Sequence, residues 1–199
     1  GGTFAVCMGL SAMDYRNVGF TFTALDVGQG QCLIYTAGGQ TSVVDCGGAQ
    51  DESGELAARY LETNGVFHID RLILTHPDAD HCNGAAQLLS RIRVDALYLP
   101  LTAIREDSAM LQAIRKAARQ TGTRIEFVRE DTEFAAQNGK ISILKPDLRE
   151  SGNNGGLCVL ASHEKYDILI TGDLSQNAEY RLLSRYDLRD VELLIAGHH

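Results

Sequence analysis

The sequence predicts one α/β domain in which β-hairpins are mixed with helix-separated strands, and three observations predict it. The 199 residues are 44% hydrophobic, enough for one large packed core. The chain opens on short runs rich in β-branched and aromatic residues, bounded by glycines, as strands are. Later strands are separated by segments whose apolar residues recur at helical spacing. With only three prolines and no repeat or low-complexity run, nothing argues for disorder or a solenoid.

Taken in order, Phe20–Asp26, Gln31–Thr36 and Thr41–Asp45 read as three strands joined by Gly-rich turns. Leu56, Ala57, Tyr60 and Leu61 mark a helix that Gly65 ends. Arg71–Thr75 reads as an apolar strand running into His76, Ala85–Ile92 as a helix, and Ala96–Leu99 as a strand. Ser108–Gln120 is an amphipathic helix closed by Gly122. Asn138-Gly139, two residues that tolerate positive φ, predicts a hairpin between Thr132–Ala136 and Lys140–Leu144. A second hairpin is expected from Leu157–Ala161 and Ile168–Thr171, then a helix over Gln176–Ser184 and a strand over Val191–Ala196. The clustering of strands in each half does not match a regular doubly wound sheet.

Composition narrows the function classes. A net charge of −8 gives no general attraction for nucleic acid or anionic lipid, so a DNA substrate would need a local field. Arg115, Lys116 and Arg119 fall on one helix and read as its solvated face. The five cysteines form no CxxC pair, which is poor support for a disulfide framework or a zinc ribbon. No P-loop and no GxSxG elbow is present, and no nucleotide cofactor is expected. Residues 1–13 carry no charge but are too short to span a bilayer, which takes roughly 20 apolar residues, and they lack the basic region of a signal peptide. Residues 1–19 are expected to be a linker or the tail of a preceding segment, and 20–199 the domain.

The densest set of metal-capable side chains is Thr75-His76-Pro77-Asp78-Ala79-Asp80-His81, directly after an apolar strand. A strand fixes the root of such a loop while its turn fans nitrogen and oxygen donors inward, which suits zinc, manganese or iron. A helix cap needs one side chain, and two His with two Asp exceed that need. Cys82 reads as a small helix-start residue, and His68 and His163 as surface or turn histidines.

His76-Pro-Asp78-Ala-Asp80-His81 resembles the HxHxDH signature of the metallo-β-lactamase fold, with Asp78 in place of the second His, as in the ComEC DNA-uptake branch. Leu25-Asp26-Val27-Gly28-Gln29-Gly30 resembles that branch's LDVGQG, Val43–Gly48 its strand-Asp-Thr-Gly-Gly segment, and Asn153–Leu157 its Asn-x-x-Ser-Leu stretch with Gly156 for Ser. Thr171-Gly172-Asp173 and Gly197-His198-His199 resemble its TGD and GHHGS motifs. Gln31 departs from the Asp that often follows LDVGQG, and no chemistry is assigned to it.

The resemblance implies a four-layer αββα sandwich, here with its C-terminal part beyond residue 199. It implies two divalent cations, zinc or manganese: His76 and Asp78 on one, Asp80 and His81 on the other, Asp173 bridging both, and His198 completing a site. Asp80 and Asp173 would be the carboxylates on which catalysis depends. Asp26 and Asp45 would orient ligands through hydrogen bonds, and Asn153 would stand where other branches carry a further His. Two cations would supply a nucleophile from water and stabilise charge on a phosphoryl oxygen. The function so implied is a DNA phosphodiesterase, its parent protein lying in a bacterial cytoplasmic membrane with this domain outside and a membrane channel in the same chain. The rival expectations are a hydrolase of small esters, thioesters or lactams, and a non-catalytic module with degenerate metal sites.

Overall fold

A computed structural model describes residues 19–49, 52–145 and 150–197. Of the expected tail over residues 1–19, residues 1–18, with Cys7, lie outside the described residues, as do His198 and His199. The strands are β1 (Thr21–Ala24), β2 (Leu33–Ala37), β3 (Gln40–Val44), β4 (His68–Ile73), β5 (Arg93–Pro100) and β6 (Arg124–Val128). These form one sheet in chain order, antiparallel from β1 to β3 and parallel from β3 to β6. A second sheet holds β7 (Thr132–Ala136), β8 (Gly139–Leu144), β9 (Cys158–His163), β10 (Tyr166–Ile170) and β11 (Leu193–Ile195), with only β10 and β11 parallel. The helices are α1 (Ser53–Thr63), α2 (Ala79–Cys82), α3 (Ala85–Arg91), α4 (Ala109–Thr121) and α5 (Gln176–Arg185).

Three core clusters make these elements four layers. Ile34, Val43, Leu72 and Leu97 pack against Leu61, Leu88 and Ile114, so α1, α3 and α4 cover the outer face of the first sheet. Leu33, Tyr35, Val44 and Ile73 face Ile141, Val159 and Ile168 of the second sheet. Leu144, Cys158 and Leu169 meet Ala178 and Leu182 of α5. Neighbours such as Leu33 and Ile34, or Leu72 and Ile73, therefore enter different clusters. The pleat sends successive side chains to opposite faces, and both faces are covered. The fold is the αββα sandwich.

Several expected boundaries move. The Arg71–Thr75 strand begins earlier, at His68, because His68 and Ile69 already pair with Arg93 and Val94 of β5. β6 had no predicted counterpart, although Ile125 and Phe127 alternate with charged residues. The β7–β8 turn is Gln137-Asn138 rather than Asn138-Gly139. Ala136 pairs with Gly139 and only Asn138, at φ 57°, is left-handed. Gly139 is a strand residue whose missing side chain admits the Ser162 carbonyl. Ser108 caps α4 by accepting from the Leu111 amide at 3.3 Å, and Gly122 closes it at φ 76°, as expected.

Candidate metal centre

The site forms where the loops after β1, β3, β4 and β10 meet at one edge of the paired sheets. Backbone hydrogen bonds zip the first three loops together: Gln31 N to Asp80 O at 3.0 Å, Gly47 N to Gln31 O at 3.0 Å and Cys46 N to His81 O at 2.9 Å. Gly47 is required there, since a β-carbon would collide with the Asp80–His81 peptide. The Leu157 amide donates to Thr75 O at 2.8 Å and ties the second sheet's loop to the end of the β4 segment.

Asp45 organises the interior. It is fully buried, with a left-handed backbone at φ 59°, and its carboxylate accepts from four donors. These are Gln31 Nε2, the Thr75 amide, Thr75 Oγ1 and His81 Nδ1, each at 2.7 Å. The network fixes both imidazoles. His81 spends its Nδ1 proton on Asp45. Thr75 spends its hydroxyl proton on Asp45 too, so its oxygen is left to accept from His76 Nδ1 at 3.0 Å. Each ring therefore turns an Nε2 lone pair toward Asp173.

His76 Nε2 lies 3.6 Å from Asp173 Oδ2, and His81 Nε2 lies 3.3 Å from Asp173 Oδ1. One carboxylate oxygen thus faces each histidine, and the ring centroids are 4.0 Å apart. The three donor atoms lie within 4.8 Å of one another. The His76 Nε2 atom is buried and has no hydrogen-bond partner, a cost that a cation would remove. Asp78 Oδ2 stands 3.7 Å from the same nitrogen on a half-exposed side chain. The donors present therefore fit a divalent cation bound through nitrogen and oxygen.

Burial lowers the pKa of His76, with His81 adding to the effect. Burial also works against the charged form of His81, but the Asp45 hydrogen bond and charge outweigh it and raise the His81 pKa.

Not every expected residue joins this group. Asp80 sits in the first turn of α2 with its carbonyl bonded to Gln31, outside the set of three. Asp26 is exposed, accepts the Gly28 amide at 3.3 Å and lines a separate pocket with Ser53 and Arg59, so no described contact gives it a hold on a ligand. The LDVGQG segment makes a tight turn, and Asp26 stabilises that turn. Asn153 lies on the 3₁₀ turn Gly152–Gly155, between the clefts on the Asp78 and Asp173 sides. Cys82 is buried and donates from Sγ to the His76 carbonyl at 3.0 Å, and burial chiefly pushes its thiol pKa well above the usual value. His68 pairs with Asp95 at 2.9 Å, and His163 stacks on Phe20. Sequence reasoning missed Gln31 and Thr75, the two residues that with His81 saturate Asp45. Their adjacency to the LDVGQG and HxDxDH motifs was the only signal.

Residues 25–198 match the metallo-beta-lactamase superfamily profile. ComE operon protein 3 of Bacillus subtilis (strain 168), of the ComEC family, is 28% identical over 195 residues, covering 88% of this chain and 25% of that protein. Ribonuclease Z of Aeropyrum pernix is 33% identical over 103 residues, or 51% of this chain and 28% of that one. The chain spans about a quarter of the length of ComE operon protein 3. In fold, the Rm3 metallo-beta-lactamase superposes with a TM-score of 0.62 at 11% identity, over 96% of this chain and 81% of that one. On its sequence profile, its four layers and its relatives alike, the chain belongs to the metallo-beta-lactamase superfamily.

Proposed function

We propose that this chain is the hydrolase domain of a ComEC-type DNA-uptake protein and cleaves DNA phosphodiester bonds with two divalent cations. Members of the superfamily are as a rule metal-dependent hydrolases, and the fold typically holds two divalent metals. The observation that carries the finer reading is Asp173, with one oxygen toward His76 and the other toward His81, a placement from which one carboxylate could serve both histidines' cations. His76 and Asp78 would hold one cation and Asp80 and His81 the other, with His198 as a further ligand. When bound, the cations activate water and stabilise charge on the phosphoryl oxygen. Asp45, through Thr75 and directly, keeps both Nε2 lone pairs in place. A relative of half of this chain is named ribonuclease Z, which supports a phosphodiester substrate.

Asp78 and Asn153 make the donor set rich in oxygen, so manganese competes with zinc. Among the described residues no helix is long and apolar enough to cross a membrane. The membrane channel belongs to the rest of the parent chain, with this domain outside the cytoplasmic membrane.

The raised His81 pKa gives the pH dependence a sign. Its Nδ1 proton stays on Asp45, so acid protonates Nε2, the atom that faces the cation. Cation affinity should therefore fall by about tenfold for each pH unit below that pKa, where a proton must be displaced. His76, with its pKa lowered, adds no such demand near neutrality. Calorimetric metal titrations in buffers of different protonation enthalpy measure the proton released, and an affinity independent of pH would count against the ligand role of His81.

The substrate class is tested by offering the metal-loaded protein labelled DNA, a chromogenic lactam and a small carboxylic ester in parallel. DNA is expected to be cut and the others spared. Turnover of the lactam or ester without DNA cleavage would overturn the reading.

A further inference from the structure

We infer that Arg105 and Arg129 form a phosphate-binding subsite that holds the DNA strand on the Asp78 side of the reacting phosphodiester. This rests on the function proposed above and adds where the substrate lies. β4, β5 and β6 are parallel neighbours, so the residues after their C-terminal ends reach the same sheet edge. His76 follows β4, Arg105 ends the 3₁₀ turn Leu101–Ile104 after β5, and Arg129 follows β6 directly. Both arginines line a cleft of about 670 Å³ that opens beside Pro77 and Asp78, within the roughly 300–1,000 Å³ of ligand sites.

Arg105 and Arg129 are the two basic side chains among this cleft's described walls. Arg91, Arg181 and Arg189 are among the basic side chains held in ion pairs, at 2.7, 2.8 and 2.7 Å. Among the described residues Arg105 and Arg129 form none, and both are exposed. Glu150 in the cleft wall is neutralised by Arg181, which leaves, among the described walls, Glu106 and the proposed cation ligand Asp78 as the carboxylates beside them. Among its described walls the cleft has no aromatic side chain, so bases have no ring there to stack on and binding comes from phosphates, without regard to sequence. The cleft on the Asp173 side carries Glu179 and, among its described walls, no basic side chain. An acidic protein thus presents two uncommitted guanidiniums on one flank of its metal-ligand cluster.

The test compares wild type with Arg105→Gln, Arg129→Gln and the double variant on single-stranded DNA and on bis(p-nitrophenyl) phosphate, which has no flanking phosphates. The double variant is expected to raise KM for DNA about tenfold with kcat nearly unchanged, and to lower the slope of log KM against log salt by about 0.7 per arginine. Arg→Lys at either position should retain most of the affinity, Glu106→Gln should lower KM, and the small diester should be cleaved equally by all. A merely structural role for the arginines would not spare the small diester while changing the salt slope. Wild type cutting both substrates with KM and salt slope unchanged in the double variant overturns the subsite alone. Wild type cutting the small diester but not DNA overturns the subsite as well. If wild type cuts neither, the function falls, and the subsite with it.

Discussion

Asp173→Ala is expected to lower DNA hydrolysis by about 10³-fold, the scale on which removing one stabilising group from a reacting centre acts. The fold should survive. Asp173 belongs to none of the core clusters, and its side chain lies at the sheet edge where the clefts open. Metal content should fall with activity, because the two histidines lose the carboxylate between them. Asp80→Ala is expected to act in the same direction, with a smaller loss of metal since its carboxylate stands outside the set of three. Circular dichroism, metal analysis and turnover on the same samples check this. Full turnover with full metal content in Asp173→Ala would remove the residue from the site.

The largest effect on stability is expected from Asp45→Ala, at about 3–5 kcal/mol in the metal-free protein, because it strips the partner from a buried network. Four donors lose their acceptor at once, and alanine tolerates the left-handed backbone at 45 poorly. Against typical stabilities of about 5–15 kcal/mol this is a large fraction. Asp45→Asn keeps a side chain that accepts φ 59° and one carbonyl acceptor, and should cost less, about 1–3 kcal/mol. Both variants free His81 Nδ1 from its carboxylate, so cation affinity should drop about 10–100-fold. Urea unfolding of the metal-free forms and metal titrations read the two effects separately. Equal stability of wild type and Asp45→Ala would show that the network is not what holds the loops.

Much of this was legible in the sequence, for identifiable reasons. The His76–His81 loop announces itself because donors crowd the end of an apolar strand, and the hairpins because turn residues punctuate alternating runs. The four layers were not legible from periodicity. Leu33, Ile34, Leu72 and Ile73 are buried on both faces, so their continuous hydrophobicity carries no sign of which side meets a helix and which meets a sheet. Only the family resemblance implied the sandwich. Asp173 was reachable in the same way alone, since nothing local ties a TGD segment to a loop so far upstream. Gln31 and Thr75 escaped because a hydrogen bond to a buried carboxylate is a property of the assembled loops. Arg105 and Arg129 were scattered charges in sequence, and the parallel order of β5 and β6 makes them neighbours across a cleft.

If metals held by His76, His81 and Asp173 cleave DNA, stripping and restoring them must remove and return the activity. Chelated wild-type protein, returned stepwise to manganese or zinc and incubated with labelled DNA, should regain cleavage in proportion to bound metal, with manganese effective. The Asp173→Ala protein treated identically should regain none. Cleavage that persists in the metal-free protein, or that returns equally in Asp173→Ala, would contradict the account.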